Sequence, residues 1–95
     1  MTITLTSTVR KSEGPVEASM DGRTVMLNMA SGKYFGLDDI GTDVWSRLEG
    51  SVAVMALVDA LEALYDAPRA TLEADVLEFL RALETEGLVE AVPSA

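Results

Sequence analysis

With 95 residues, 48% of them hydrophobic and 24% charged, the chain holds enough apolar surface for one packed domain, residues 1–95, and too little length for a second. Sixteen Asp and Glu against seven Lys and Arg give a formal net charge of −9, a field that repels a phosphate backbone and argues against nucleic acid as a partner. Cysteine and histidine are both absent, which excludes disulfides, thiolate metal sites, the commonest zinc ligand and the usual general base at once.

The stretch Met1 to Val9 has no charged region ahead of an apolar core and no run long enough to span a bilayer, so a cytoplasmic protein without membrane contact is expected. Ile3, Leu5 and Val9 share one parity among Thr and Ser residues, the alternation of a half-buried strand, and Arg10 to Pro15 then breaks the pattern. Val16 to Met20 alternates more weakly. Asp21-Gly22 is a tight-turn dipeptide, and Thr24 to Met29 and Lys33 to Leu37 complete a three-stranded antiparallel meander, to one edge of which the N-terminal strand can add. A three-residue loop Ala30-Ser31-Gly32, with Gly32 in a left-handed conformation, sets Met29 opposite Lys33, Leu27 opposite Phe35 and Val25 opposite Leu37. That register places Val25, Leu27, Phe35 and Leu37 on one face and Met26, Asn28, Tyr34 and Gly36 on the other. A two-residue turn on Ser31-Gly32 would instead pair Asn28 with Phe35, mixing polar and apolar partners.

Three helices follow. Asp38 or Asp39 caps the first, which carries Ile40, Val44, Trp45 and Leu48 at helical spacing and ends at Gly50; Trp45 falls along the buried stripe and reads as a core anchor. Ser51 is the expected cap of the second, whose apolar face runs through Val54, Leu57, Val58, Leu61, Leu64 and Tyr65 until Asp66-Ala67-Pro68 closes it. The third starts near Thr71, carries Leu72, Val76, Phe79, Leu80 and Leu83 as one stripe and stops at Gly87, after which Leu88 to Val92 reads as a short closing strand. The fold class is therefore α+β and winged helix-turn-helix-like: a three-stranded meander with a possible N-terminal strand, then three helices. The same architecture serves acidic winged-helix transcriptional regulators. However, Glu73, Asp75, Glu78, Glu84 and Glu86 on the third helix, against Arg81 alone, are the reverse of what a recognition helix needs.

Candidate chemistry is thin. Asp38, Asp39 and Asp43 form the one local carboxylate cluster suggestive of a cation, but they lack the spacing of a calcium loop and sit where carboxylates cap a helix. Gly32-Lys33-Tyr34-Phe35-Gly36 matches no phosphate-binding glycine motif. Lys11 and Lys33 are the only lysines, so the many hydroxyls lack an activating base; no enzyme activity, cofactor or metal is expected. Leu77 widens the apolar surface of the third helix beyond its main stripe. Either that helix packs on both the sheet and the second helix, or its flank through Leu72, Val76, Phe79 and Leu80 walls a groove beside an exposed strand edge.

The run VMLNMASGKYFGLDDIGTDVWSRLEG, from Val25 to Gly50, together with Glu86-Gly87-Leu88-Val89-Glu90, resembles the PqqD-like proteins, and most of all the stand-alone leader-peptide-binding members of lasso-peptide pathways. The resemblance implies a RiPP recognition element, which captures the leader of a ribosomally made precursor peptide as an added antiparallel strand. Carried onto this sequence, the docking edge is Lys33, Tyr34, Phe35, Gly36 and Leu37, and the helix wall comes from Leu72, Asp75, Val76, Phe79 and Leu80. Asp75 would meet a basic leader residue. The resemblance also implies a separate cysteine leader protease and an ATP-dependent macrolactam cyclase as partners, with presentation to a radical SAM enzyme, as in pyrroloquinoline quinone synthesis, as the alternative branch.

Overall fold

The computed structural model describes residues 3–13, 16–21, 23–29 and 31–92. Gly22 of the expected Asp21-Gly22 turn and Ala30 of the expected hairpin loop lie outside them, as does Pro15. Six strands and three helices are found among the described residues: β1 (Thr8–Lys11), β2 (Val16–Met20), β3 (Arg23–Asn28), β4 (Lys33–Gly36), α1 (Asp39–Ser46), β5 (Val52–Ala53), α2 (Val54–Leu64), α3 (Arg69–Thr85) and β6 (Val89–Val92). They form two antiparallel three-stranded sheets, β2-β3-β4 and β5-β1-β6, which with the helices make the expected α+β, winged-helix-like architecture.

The N-terminal strand corrects two expectations. It starts at Thr8 rather than Ile3, because the Thr and Ser side chains upstream bond locally. Ser7 N–H donates to the Thr4 carbonyl at 3.0 Å and Thr4 N–H to the Ser7 hydroxyl at 2.9 Å, a turn that competes with a ladder. Ile3 is nonetheless fully buried, and its carbonyl accepts from Arg81 Nε of α3 at 2.8 Å. Nor does β1 join the meander: it pairs along β6, with Thr8 opposite Val92 and Lys11 opposite Val89, and on its other side with β5. The closing strand expected at Leu88 to Val92 is the partner that decides this, since pairing there buries Val9 and Val89 together.

The short β5 also removes the expected cap on α2. Ser51 is not the N-cap; Ala53 is, without a side-chain hydrogen bond, and Val54 N–H donates to the Ser7 carbonyl at 3.0 Å. A neighbouring segment thus satisfies one of the helix-end donors that have no partner within the helix. α1 stops at Ser46, four residues short of Gly50, which holds φ +66 beyond the last turn.

The core lies between the helices and the two sheets and is aliphatic: Leu57, Leu61, Leu80, Leu83 and Leu88 are at most 1% exposed. Trp45 is buried as expected. Its Nε1–H donates to the Glu17 carboxylate of β2, and Lys11 of β1 lies 4.7 Å from its ring centroid and 3.7 Å from Glu17. These three side chains connect the two sheets through α1. α2 and α3 are joined outside the core by Arg69, which reaches Asp59 at 2.8 Å, Glu62 at 3.4 Å and Glu73 at 3.5 Å. The hydrogen bond that Arg69 donates to Asp59 is the main cause that raises its guanidinium above its already high ordinary pKa.

Candidate functional site

The hairpin register differs from the one read from the sequence. Asn28 pairs with Lys33, Leu27 with Tyr34, Met26 with Phe35 and Val25 with Gly36, so the loop runs from Met29 to Gly32 and is one residue longer than expected. Gly32 takes the expected left-handed conformation, φ +71, and its N–H donates to the Asn28 carbonyl at 2.8 Å. As a result Met26, not Val25 or Leu27, shares the core face with Phe35 and Leu37, and Val25 and Leu27 turn outward with Tyr34 and Gly36. A tertiary contact fixes this phase. Asn28 Nδ2 donates to the Glu86 carbonyl at the end of α3 at 2.9 Å, while its Oδ1 accepts from Ser31 N–H at 3.4 Å, so Asn28 must point inward. Asn28→Ala is expected to destabilise the protein by about 1–2 kcal/mol, because it orphans groups at the helix end and the loop; a denaturant titration against the unaltered chain checks this.

Leu37 N–H donates to the Thr24 carbonyl at 2.9 Å, which sets which β4 residues bond to β3. In an antiparallel ladder alternate residues exchange both bonds with the neighbour. Phe35 and Leu37 therefore use their main-chain groups inward, Lys33 N–H donates to the Ser31 hydroxyl of the loop at 3.3 Å, and Tyr34 and Gly36 direct N–H and C=O toward the open side of β4. Among the described residues no strand pairs there.

Helix α3 comes to this hairpin at one end. Its C-terminal end meets the hairpin through Asn28 and Glu86, and Glu86 lines a narrow crevice with Lys33, Tyr34 and Phe35. Farther toward its N-terminus, Phe79 crosses to the start of α1: a Cβ on Gly41 would lie 3.1 Å from its ring and 3.0 Å from Asp38 Oδ1. Beneath Phe79 lies a cleft of about 170 Å³ lined by Leu61, Leu72, Val76 and Val44, with Asp38, Ile40, Gly41 and Asp75 completing it. Asp38 is the α1 cap, accepting from Gly41 N–H at 2.7 Å, and also borders the outer face of β4. It thus joins the cleft to the strand edge.

Of the residues singled out from the sequence, Leu72, Asp75, Val76 and Phe79 meet in this cleft, and Lys33 to Gly36 form the edge. Leu37 and Leu80 do not reach the cleft. Leu37 is 3% exposed beneath the strand, and Leu80, fully buried, sits in the core one helix position round from Phe79. Ile40, Gly41, Val44, Leu61 and Asp38 complete the lining without having been read as site residues. Gly41 carried a usable signal, because a glycine inside a helix often marks a close approach. Asp43 is not free for a cation: Arg47 Nε donates to it at 3.0 Å and the Tyr65 hydroxyl at 3.2 Å. The two cleft carboxylates, Asp38 and Asp75, leave a mouth suited to a positive group. Gly41→Ala is expected to press on Phe79 and narrow the cleft, so it should weaken occupancy while yielding less than the ~1 kcal/mol gain usual for this change in a helix; thermal melts and ligand titration read the two effects separately.

A winged-helix-like domain with an unpaired strand edge beside an apolar, acid-rimmed cleft is the class that fold and site define. Residues 23–89 match the family described as coenzyme PQQ synthesis protein D (PqqD), and this chain belongs to that family as a PqqD-like RiPP recognition element. Among solved structures it is similar to "TbiB1 in Complex with the TbiA(beta) Leader Peptide", at 39% identity and TM-score 0.80 over 90% of this chain and 99% of that one. It is also similar to the PqqD truncation of Methylobacterium extorquens PqqCD, described as a stand-alone RiPP recognition element, at 27% identity and TM-score 0.72 over 87% and 88% of the two chains. Lasso peptide synthetase B1 complexed with the leader peptide shares the fold at TM-score 0.71 and 23% identity, over 90% of this chain and 98% of that one. Comparison with curated proteins finds no match. No described helix is long and apolar enough to cross a membrane.

Proposed function

We propose that this chain is a non-catalytic, single-domain adaptor that binds the leader region of a ribosomally synthesised precursor peptide as a fourth strand on β4. The observation that carries this reading is the outward main chain of Tyr34 and Gly36, lying beside the cleft under Phe79. Main-chain bonds to those two residues supply affinity, and the cleft supplies selection. Leu72, Val76 and Phe79 take an apolar leader side chain, and Asp75 faces a basic one; Lys33, Phe35, Leu37 and Leu80 support the edge and wall from behind.

The 39% identity to TbiB1, solved in complex with a leader peptide, supports a leader peptide as the ligand, and the resemblance of Val25 to Gly50 to the lasso-pathway proteins favours that branch over presentation to a radical SAM enzyme. In that branch the adaptor hands the bound precursor to a separate cysteine leader protease and to an ATP-dependent cyclase, in the cytoplasm. No observation favours a DNA-binding regulator, since α3 turns Glu78 and Asp75 to solvent. Calorimetric titration of the leader of the precursor gene adjacent to this chain's gene tests the reading. Micromolar or tighter one-to-one binding is expected, and absence of heat with every adjacent precursor sinks it.

A further inference from the structure

The register of the meander leaves its outer face apolar and partly uncovered: Val16 is 53% exposed and Tyr34 77%, with exposed Ala18 and half-buried Val25 and Leu27 beside them. Neither Val25 nor Leu27 packs against the core. Within this face Gly36 is a notch. It stands directly between Val25 on β3 and the open edge, with Tyr34 two residues back along the strand and Arg23 and Asp38 at the far end. A Cβ built on Gly36 would meet nothing within 4 Å, and its φ is not in the left-handed region, so neither backbone conformation nor crowding requires glycine there.

Resting on the strand-addition reading, we infer that Gly36 is a specificity-determining residue: the peptide residue paired with it carries a large apolar side chain, aromatic best, that lies across the glycine onto Val25 and against Tyr34. Paired residues on neighbouring strands point to the same face. Because Gly36 presents its main chain to the edge, its partner must project onto the outer face, away from the cleft under Phe79. A glycine in a strand leaves a bare patch of sheet, and an aromatic cross-strand neighbour covers such a patch. Peptide residues next to that one point inward toward α3, so the bound segment is read on both faces: one apolar residue in the cleft and, one position away in parity, another in the notch.

Panning a phage-displayed random dodecapeptide library on the full chain and on Gly36→Val tests this. Valine suits a strand and the added atoms have open space, so the variant should fold, which circular dichroism checks. Expected for the unaltered chain is a consensus with a large apolar residue an odd number of positions from a second apolar one; alanine at the first in the synthetic consensus peptide should weaken binding roughly 5- to 20-fold. On Gly36→Val the same peptide should weaken comparably, and its alanine version should bind both proteins alike. If the two proteins enrich the same consensus with the same affinities, the notch plays no part and strand addition stands. If the unaltered chain enriches no peptide, strand addition falls and the notch with it. A Val25→Ser variant gives a second reading: it leaves the edge untouched and should selectively weaken peptides with the large residue.

Discussion

Tyr34→Pro is expected to weaken capture of a leader strand sharply while leaving the protein folded. The N–H that proline removes is one of the two on β4 that point to the open side, and the ring would occupy space an incoming strand needs. Proline is tolerated on an edge strand when its missing donor faces solvent, and the preceding Lys33 is already extended, as a residue before proline prefers. The Tyr34 side chain is mostly exposed, so its loss removes little packing. Affinity should fall roughly 10- to 100-fold, the effect of a lost charge-neutral hydrogen bond plus a buried, unpaired peptide carbonyl. Phe35→Pro is the matched contrast: its N–H belongs to the ladder with Met26, and breaking an interior bond costs about 3 kcal/mol or more. Calorimetry and thermal melts on the two variants separate loss of docking from loss of fold. Equal binding by Tyr34→Pro and the unaltered chain would show that the peptide does not use this edge.

Leu80→Ala and Phe79→Ala should behave oppositely although they are adjacent on α3. Leu80 is fully buried among core residues, and its truncation leaves a cavity costing about 2–5 kcal/mol, a large share of the roughly 5–15 kcal/mol that holds a domain of this size. The melting temperature should drop by roughly 10 °C or more. Phe79 is only partly buried and roofs the cleft next to Gly41. Removing it should cost about 1–2 kcal/mol in stability but open the cleft to water, so leader affinity falls more than stability does. A Leu80→Ala protein that melts normally would mean α3 is rotated from the placement described.

The helices were legible in the sequence because each carries its own signal. Apolar residues at helical spacing from Val54 to Leu61 and from Leu72 to Leu83 bury themselves on whatever they pack against, and Gly87, at φ +74, ends the last helix as its position suggested. The meander strands and the closing strand were legible for the same reason, since alternation and turn residues act over a few positions. The resemblance of Val25 to Gly50 to the PqqD-like proteins supplied what periodicity does not, an expected docking edge and helix wall.

Pairing was not legible, because it depends on residues far apart in the chain. Nothing near Val9 says that its partners are Val52 and Ala91, and the hairpin slipped by one residue from the register that local apolar pairing favours. Asn28 points inward and reaches the end of α3, 58 residues away, which puts Met26 in the core and Val25 and Leu27 on the outer face. A one-residue slip exchanges the faces of a strand, so a pair expected in the core is half-buried on the outer face and Met26 takes the core position. The amino-acid sequence alone determined the elements, their order and the absence of histidine and cysteine chemistry. Only the tertiary structure decided which β4 groups remain unpaired, because a main-chain donor is free or used according to which strand lies beside it.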